Sequence, residues 1–178
     1  MALKSRPAFA VWITGLPASG KSTLAAALKA QLTGRGVDVA VLESDELRKI
    51  FTPEPHYDAK ERDAFYRQMV YVGVLLTRHG VPVVFDATAN RRVFREMGRR
   101  QIPRFLEIHV DTPLEMCVAR DPKGIYRQAR GSEANTVPGM QAEYEAPEHP
   151  DLTIHGDREN ADAAAARVVA KLTERGYL

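Results

Sequence analysis

Residues 15–22 limit the fold and chemistry of this chain more than any other segment; they read Gly-Leu-Pro-Ala-Ser-Gly-Lys-Ser. They fit the pattern G-x-x-x-x-G-K-[S/T], after an apolar segment typical of a strand (8–14) and before a segment of helical composition (21–36). A strand, a glycine-rich loop and a helix in this order surround a phosphate group with backbone amides. This phosphate loop predicts a nucleoside triphosphate site, without separating kinases from GTPases or motor proteins.

Individual residues of the phosphate loop have expected contributions. Its glycines let the backbone amides point inward. Lys21 is expected to neutralise the outer phosphate oxygens and to take part in catalysis, and Ser22 is expected to bind Mg²⁺. We predict that the nucleotide contacts Gly15, Ser19, Gly20, Lys21, Ser22 and Thr23.

Apolar, β-rich segments alternate with helical segments along the rest of the chain. Strands are predicted at 8–14, 37–44, 81–87, 105–111 and 152–155, and helices at 21–36, 58–79 and 161–176. This alternation predicts an α/β fold, a P-loop NTPase three-layer sandwich with a five-stranded parallel sheet and helices on both faces. All 178 residues are expected to form one domain. Residues 121–150, rich in Gly, Pro and charge, are predicted to form an exposed lid.

Composition excludes several classes of protein. The net charge is +2, with 25 basic and 23 acidic residues, which gives no case for a nucleic acid as a stable partner. No apolar segment approaches the ~20 residues of a membrane span. The single cysteine, Cys117, cannot form an internal disulfide, which fits a cytoplasmic location.

Two carboxylates follow predicted strands, Asp45 after the second and Asp86 after the third. The carboxyl ends of parallel strands face the ligand crevice. Asp45 is predicted to be a catalytic base for an acceptor hydroxyl and a partner of Mg²⁺; alternatively it only caps a helix. Asp86 follows an apolar run that resembles a Walker B strand; alternatively it is a cap or turn residue before the next helix.

Three segments resemble one family. VDTPLEMCVARDPKGIYRQAR (110–130) closely resembles the part of adenylylsulfate (APS) kinases that runs from the fourth strand into the lid. YEAPEHPDL (144–152) resembles the segment after the lid, and GLPASGKSTLA fits the phosphate loop of the same family. The resemblance spans essentially the whole chain. It implies transfer of the γ-phosphate of MgATP to the 3′-hydroxyl of adenosine 5′-phosphosulfate (APS), giving PAPS, by an enzyme that is usually a homodimer.

The resemblance implies roles for an acid and for the lid. Asp45 matches the second Asp of the family's D-G-D-N-x-R motif, which is implicated in catalysis. Arg120 and Lys123 belong to the R-D-P-K-G sequence of the lid, with Arg120 expected at the nucleotide and Lys123 at the acceptor. A closing lid can bring positive charge to the γ-phosphate; the alternative is ordinary surface charge.

The resemblance also implies an acceptor site built on two helices. Arg48 matches the Arg of the D-G-D-N-x-R motif, and Arg62 matches the first Arg of the following helix; both are expected to line the APS side. Arg67 lies near a later arginine pair of the family, and the Asn that contacts APS on this helix aligns with Phe65, so both positions are predicted to contact the acceptor. Arginine suits the phosphate and sulfate charges of APS.

The sequence departs from the family around the acceptor. D-G-D-N reads E-S-D-E at 43–46, and the F-I-S-P loop is replaced by A-T-A-N at 87–90. In the lid, K-N-F-T-G-I aligns with 135–140, so an APS-binding lysine becomes Asn135 and a phenylalanine that stacks on adenine becomes Val137. Each of these two losses costs on the order of 1 kcal/mol in binding. The departures predict an altered acceptor site beside an unchanged donor site.

The loop after the third strand has a likeness of its own. VVFDATANRRVFR (83–95) is similar to the V-D-x-T-x-x-x-x-R-x-x-R strand and helix of small P-loop kinases that act on polynucleotide ends or sugars. We therefore predict acceptor contacts from Asp86, Asn90 and Arg92, with Arg95 as the second arginine of an anion-binding pair. The alternative is a solvated face of arginines paired with acids.

Three hypotheses follow from the sequence. The first is an APS kinase with an altered acceptor pocket, using ATP and Mg²⁺ on a small anionic acceptor. The second is a kinase of the same fold for another anionic small molecule, such as a nucleotide ester or a sugar. The third is a nucleotide-binding regulator without catalysis, against which the intact Lys21, Ser22 and Asp45 count.

Overall fold

The protein is built on a sheet of five parallel strands, seen in a computed structural model that describes residues 8–130 and 136–178. The strands are β1 Ala10–Thr14, β2 Ala40–Glu43, β3 Val83–Asp86, β4 Phe105–Asp111 and β5 Leu152–His155. Their order across the sheet is β2-β3-β1-β4-β5. The central strands β1, β3 and β4 are nearly continuous runs of buried residues, as expected for a parallel sheet covered on both faces.

Helices connect the strands. Two of the helices have a capping side chain at the N-terminus. Asp58 accepts a hydrogen bond from the Glu61 amide, and Asn160 accepts one from the Ala163 amide, both at 2.8 Å. None of the helices in the described ranges combines the length and the apolar character that crossing a membrane requires. The helices are α1 Lys21–Thr33, α2 Ser44–Phe51, α3 Ala59–Arg78, α4 Arg92–Gln101, α5 Leu114–Arg120, α6 Ile125–Ala129 and α7 Ala161–Glu174.

Two apolar clusters lie on opposite faces of the sheet. On one face, α1 and α7 pack against β1 and β4, with Leu28 and Val168 fully buried. On the other face, α3 and α4 cover a cluster in which Trp12 stacks on Phe85 with ring centroids 4.5 Å apart. The predicted α/β sandwich with a five-stranded parallel sheet is therefore confirmed.

Strand β2 is shorter than predicted. The sequence predicts a strand over 37–44, but the ladder with β3 ends at the pair Glu43–Asp86, and α2 begins at Ser44. β2 lies at the edge of the sheet and pairs with β3 alone, so nothing extends the ladder beyond that pair. The residue after the ladder is free to start a helix at the crevice.

The segment predicted as an exposed lid packs against the phosphate loop where the structure describes it. Tyr126 and Val137 are buried in a cluster to which Leu16 contributes. The Tyr126 hydroxyl donates a hydrogen bond to the Pro17 carbonyl at 2.9 Å. For these residues the expectation of an exposed excursion is wrong, because apolar side chains anchor the segment to the loop.

Gly73 of α3 tests the packing of the core. A β-carbon there would lie 2.2 Å from Cζ of the Phe85 ring, so alanine cannot fit unless this ring, which is stacked on Trp12, or the elements around it move. Alanine in a helix is ordinarily more stable than glycine by roughly 0.5–1 kcal/mol. We expect Gly73→Ala instead to lower the free energy of unfolding by about 1–3 kcal/mol through overpacking.

Urea unfolding measures this change. Gly34→Ala is the matched control, because its β-carbon would meet its nearest neighbour at 3.5 Å. We expect the control to change the free energy of unfolding by less than about 0.5 kcal/mol. A Gly73→Ala protein as stable as the wild type would refute the close contact.

Candidate active site

The phosphate loop, residues 15–22, connects β1 to α1. Ala18 and Gly20 have φ values of +59° and +107°, conformations in which successive amides form an anion-binding concavity. The Lys21 ammonium donates a hydrogen bond to the Leu16 carbonyl at 2.8 Å and so bridges the loop. The loop is therefore closed and ordered around its lysine.

Ser19 and Gly15 form the floor of the loop. The Ser19 hydroxyl is buried and has no hydrogen-bond partner in the described part of the chain, while its carbonyl accepts a bond from the Thr112 hydroxyl at 2.8 Å. A β-carbon on Gly15 would lie 2.7 Å from Ser19 Oγ and 2.5 Å from the Val110 carbonyl oxygen. A buried hydroxyl without a partner, beside a helix N-terminus, fits an anionic oxygen. The loop thus fits the phosphate chain of a nucleotide.

A cavity of about 460 Å³ opens between the phosphate loop and the ends of β2 and β3; we call it the loop cavity. Three further predicted residues also line it, namely Asp45, Asp86 and Lys123. Gly15 and Ser19, the two other predicted nucleotide contacts of the loop, do not line it. The predicted nucleotide contacts that line the cavity are Gly20, Lys21, Ser22, Thr23 and Arg120.

Lys21 and Asp86 form the charged centre of the loop cavity, and both are buried. Burial lowers the pKa of the Lys21 ammonium, while the charges of Asp86 and Asp45 act against this. Burial raises the pKa of the Asp86 carboxyl, against a hydrogen bond from Ser22 and the charge of Lys21. Opposite charges are thus held together in a site where burial disfavours each of them alone.

Asp86 does not cap a helix. It is the last residue of β3, whereas α4 begins at Arg92 with Arg91 in the cap position. Its carboxylate instead interacts with the Ser22 side chain, which lowers the pKa of the acid against the effect of burial. A carboxylate beside the hydroxyl that follows the loop lysine is the arrangement that holds Mg²⁺ in P-loop NTPases, so these residues fit that ion.

Asp45 lies in the first turn of α2. Glu43 occupies the cap position of this helix, so the alternative interpretation of Asp45 as a cap is excluded. The Asp45 side chain is 53% exposed and accepts a hydrogen bond from the Lys123 ammonium at 2.5 Å. This contact raises the pKa of Lys123. The carboxylate is accessible to ligands and is paired with a cation of the lid.

A second cavity, of about 370 Å³, shares a wall with the loop cavity; we call it the arginine cavity. Arg48 and Arg62 line it and are buried, and Arg48 pairs with Glu61 at 3.3 Å. Arg62 donates hydrogen bonds to the carbonyls of Tyr57 and Thr136 at 2.9 and 2.5 Å. Burial and the Arg48 charge lower the pKa of Arg62. Two guanidiniums beside one carboxylate favour an anionic ligand.

Five of the described residues line both cavities and form the wall between them. Three of the residues that line both have side chains able to form hydrogen bonds. A group that moves from one cavity to the other passes these side chains. The residues that line both cavities are Pro17, Ser44, Asp45, Thr88 and Ile125.

Tyr57 and Glu43 line the cavities without a role predicted from the sequence. Tyr57 lines the arginine cavity with φ +58°, rare for an aromatic residue, and the Arg48 guanidinium lies 5.0 Å from its ring centre. Glu43 lines the loop cavity, and burial together with the Asp86 charge raises its pKa. A tyrosine in a proline-containing connection gives no sequence signal of its own. Glu43 could have been found from its place beside Asp86 at the strand ends.

Two predicted acceptor contacts on α3 do not reach either cavity. Phe65 is fully buried, and the Arg48 guanidinium lies over its ring, 4.0 Å from the ring centre. Phe65 therefore packs against Arg48, which does line a cavity. The Arg67 side chain is 67% exposed and pairs with Asp63 at 2.6 Å. This corrects the prediction that both residues contact the acceptor. Five positions separate Arg62 from Arg67, which places them on different faces of the helix.

Asn90 is buried behind the arginine cavity. Its side-chain carbonyl accepts a hydrogen bond from Arg62 at 3.2 Å, and its amide donates one to the Glu143 carbonyl at 3.0 Å. Asn90 does not line the cavity, but it holds an arginine that does. The structure therefore gives this predicted contact an indirect part in the site.

Arg92 and Arg95 do not form an anion-binding pair. Arg92 pairs with Glu145 at 3.7 Å. Arg95 is buried, pairs with Glu107 at 2.6 Å, and donates hydrogen bonds to the carbonyls of Ala89 and Glu145. The prediction of a pair at the acceptor is corrected, because neither residue lines the loop cavity or the arginine cavity, and both guanidiniums are paired with protein carboxylates. For these two residues the alternative of arginines paired with acids holds.

The fold and the site together define a kinase of the P-loop class. The family model for adenylylsulphate kinase matches residues 7–155, and the chain belongs to this family. An adenylyl-sulfate kinase of Microcystis aeruginosa is 39% identical over 94% of this chain and 93% of its own. A probable adenylyl-sulfate kinase of Pyrococcus abyssi is 36% identical over 96% and 98%.

A solved structure supports the same relationship. The APS kinase of Mycobacterium tuberculosis in complex with AMPPNP and APS superposes with a TM-score of 0.87 and 32% sequence identity. The match covers 94% of this chain and 98% of that chain. The family resemblance seen in the sequence is thereby confirmed.

Gly15 tests the floor of the phosphate loop. Gly15→Ala would place a β-carbon 2.5 Å from the Val110 carbonyl oxygen and 2.7 Å from Ser19 Oγ, which displaces the loop. We expect the affinity for a non-hydrolysable ATP analogue, measured by calorimetry, to fall at least about tenfold. Gly36→Ala is the control: it has a positive φ of +76° and no neighbour within 4 Å. Unchanged affinity of the Gly15→Ala protein would rule out this floor.

Proposed function

We propose that this protein is an ATP-dependent kinase that transfers the γ-phosphate of ATP to the 3′-hydroxyl of adenosine 5′-phosphosulfate, giving PAPS. One observation carries the proposal: a phosphate-binding cavity and a cavity lined by two buried arginines meet at Asp45. The family is named for this activity, and the related structure from Mycobacterium tuberculosis is described as a complex with AMPPNP and APS. The reaction fits sulfate assimilation.

The loop cavity is the proposed site of ATP. The phosphate chain lies against the loop amides, with Lys21 at the outer phosphates and the Ser19 hydroxyl as a further donor. Ser22 and Asp86 would hold Mg²⁺, which supplies neutralisation of the phosphate charge when bound. Asp45 stays a predicted further partner of the ion, through its exposed carboxylate. Arg120 lines the outer part of the cavity and is proposed to contact the nucleotide.

Transfer takes place at the wall between the cavities. The acceptor hydroxyl attacks the γ-phosphorus, the bond from that phosphorus to the β–γ bridging oxygen breaks, and ADP leaves with the electron pair. The Asp45 carboxylate accepts the hydroxyl proton. Lys123, which pairs with Asp45 at 2.5 Å, moves to a phosphate oxygen when substrates bind. Asp45 is then free to act as the base.

The arginine cavity is the proposed acceptor site. Arg48 and Arg62 are already desolvated, so pairing with a phosphate or sulfate group restores interactions that burial removed. Asn90 and Glu61 fix the two guanidiniums before the ligand arrives. Such preorganisation reduces the entropy lost on binding.

Val137 favours a second candidate function. It lines the arginine cavity where the family has a phenylalanine that stacks on adenine, and a valine offers no ring for stacking. Asn135, the other substituted lid position, lies outside the described residues. A kinase for another anionic small molecule, such as a nucleotide ester or a sugar, is the second candidate. A non-catalytic nucleotide-binding regulator is the third.

The expected partners remain proposals. We infer a small-molecule acceptor and no stable nucleic acid partner, because the net charge is only +2. A homodimer is proposed from the resemblance to the family, and light scattering in solution measures the mass that decides it. A cytoplasmic location is proposed from the single cysteine.

ADP release from MgATP tests the proposed function and the role of Asp45. The acceptors are APS, gluconate, nucleoside monophosphates and an oligonucleotide with a 5′-hydroxyl. We expect turnover with APS, and in the Asp45→Asn protein a loss of about a hundredfold or more with ATP affinity retained. Turnover with another acceptor alone would establish the second candidate. Silence with every acceptor would support the third.

Arg62 tests the acceptor site. Arg62→Lys keeps the charge but loses the planar fork that bonds Tyr57, Asn90 and the ligand at once. We expect the KM for the acceptor to rise by roughly tenfold or more, with the KM for ATP within about twofold. Arg67→Lys is the matched control on the same helix, and its kinetics should equal those of the wild type. Equal effects of the two substitutions would remove Arg62 from the acceptor site.

A further inference from the structure

Thr88 occupies the wall between the two cavities, in the loop that follows β3. Of the residues that line both cavities, Pro17 and Ile125 are apolar, and Asp45 is the proposed base. The other two, Ser44 and Thr88, carry hydroxyls; Ser44 is the first residue of α2, whereas Thr88 lies in a loop held on both sides by the core. A base accepts protons, so it offers no donor to the negative oxygens of a phosphoryl group. The Thr88 hydroxyl can donate, and no bond from it to another described residue occurs in the structure.

The backbone around Thr88 is fixed at every peptide. Indole Nε1 of Trp12 donates to the Ala87 carbonyl at 3.1 Å, and the Thr14 hydroxyl donates to the Thr88 carbonyl at 2.6 Å. The Ala89 amide donates to the Tyr66 hydroxyl at 3.0 Å. Both ends of the loop are thus tied to the core, on either side of one free hydroxyl.

The backbone of Ala89, the residue after Thr88, is strained. Its φ of +42° is a strained conformation for alanine, and it is fully buried. Arg95, itself buried and paired with Glu107, holds the Ala89 carbonyl at 2.5 Å. A buried ion pair therefore maintains a strained backbone directly after Thr88. Such strain persists where the surrounding structure positions a neighbouring group for function.

We propose that Thr88 is a further catalytic residue: its hydroxyl donates a hydrogen bond to an oxygen of the phosphoryl group as that group passes from ATP to the acceptor. Thr88 keeps its proton throughout. The acceptor oxygen forms the new bond to phosphorus, ADP leaves with the electrons of the broken bond, and Asp45 takes the acceptor proton. A donor fixed before the reaction stabilises developing charge without reorganisation.

The proposal rests on the proposed function only in that a phosphoryl group crosses this wall; it does not depend on which acceptor is used. A failure of the proposed function appears in the wild type, as absence of turnover with APS. A failure of the present proposal appears in the kcat of the Thr88 variants relative to the wild type, measured with whichever acceptor the enzyme phosphorylates. Where no acceptor works, the same kcat ratio is measured for transfer of phosphate from ATP to water, and absence of that transfer as well would overturn the proposal.

Steady-state kinetics of Thr88→Val and Thr88→Ser test the role of the hydroxyl. Valine keeps the branched shape and removes the donor, whereas serine keeps the donor. We expect Thr88→Val to lower kcat by about tenfold to a hundredfold, with both KM values within about twofold. Thr88→Ser should stay within about threefold of the wild-type kcat. Thr153→Val, on β5 and outside both cavities, is the matched control.

Folding is checked by the unfolding midpoint and by affinity for a non-hydrolysable ATP analogue. Should the valine protein fail to fold, Thr88→Ala removes the same hydroxyl and is measured against Thr88→Ser in its place. A wild-type kcat without the hydroxyl would overturn the proposal. So would a loss that serine does not restore, or one confined to the KM of the acceptor.

Discussion

Parallel pairing of β3 with β1 on one side and β2 on the other is the constraint on which the site depends. It sets Glu43 of β2 level with Asp86 of β3, and Asp86 level with Ile13, two residues before the phosphate loop begins. In parallel strands these carboxyl ends open on one edge of the sheet. The loop, two acids and the start of α2 therefore converge without any long connection to position them.

Two of the charged side chains that meet at this edge of the sheet are buried, and burial changes their ionisation. Lys21 and Asp86 are removed from water. Burial lowers the pKa of Lys21 and raises that of Asp86, so it favours the neutral form of each, and the charge of each residue opposes the shift of the other. Arg48 and Arg62 are buried in the adjoining cavity with one nearby carboxylate. Two desolvated cationic sites on either side of Asp45 match a phosphate chain on one side and an anionic acceptor on the other.

One small apolar cluster couples the two halves of the site. Leu16 of the phosphate loop packs with Tyr126 of α6 and with Val137, and Val137 lines the arginine cavity. The Tyr126 hydroxyl adds a bond to the Pro17 carbonyl. The wall of the arginine cavity and the phosphate loop therefore share packing.

The sequence by itself determined the sheet, the phosphate loop and the acids Asp45 and Asp86, because these depend on local patterns of apolar residues and glycines. Only the tertiary structure decided which arginines line a cavity. Arg62 and Arg67 share a helix, yet helical geometry turns Arg67 to solvent. Arg95 is occupied by Glu107 and by the Glu145 carbonyl, partners 12 and 50 positions away. Thr88 and Tyr57 have a place in the site only because separate elements meet around them, which no local pattern encodes.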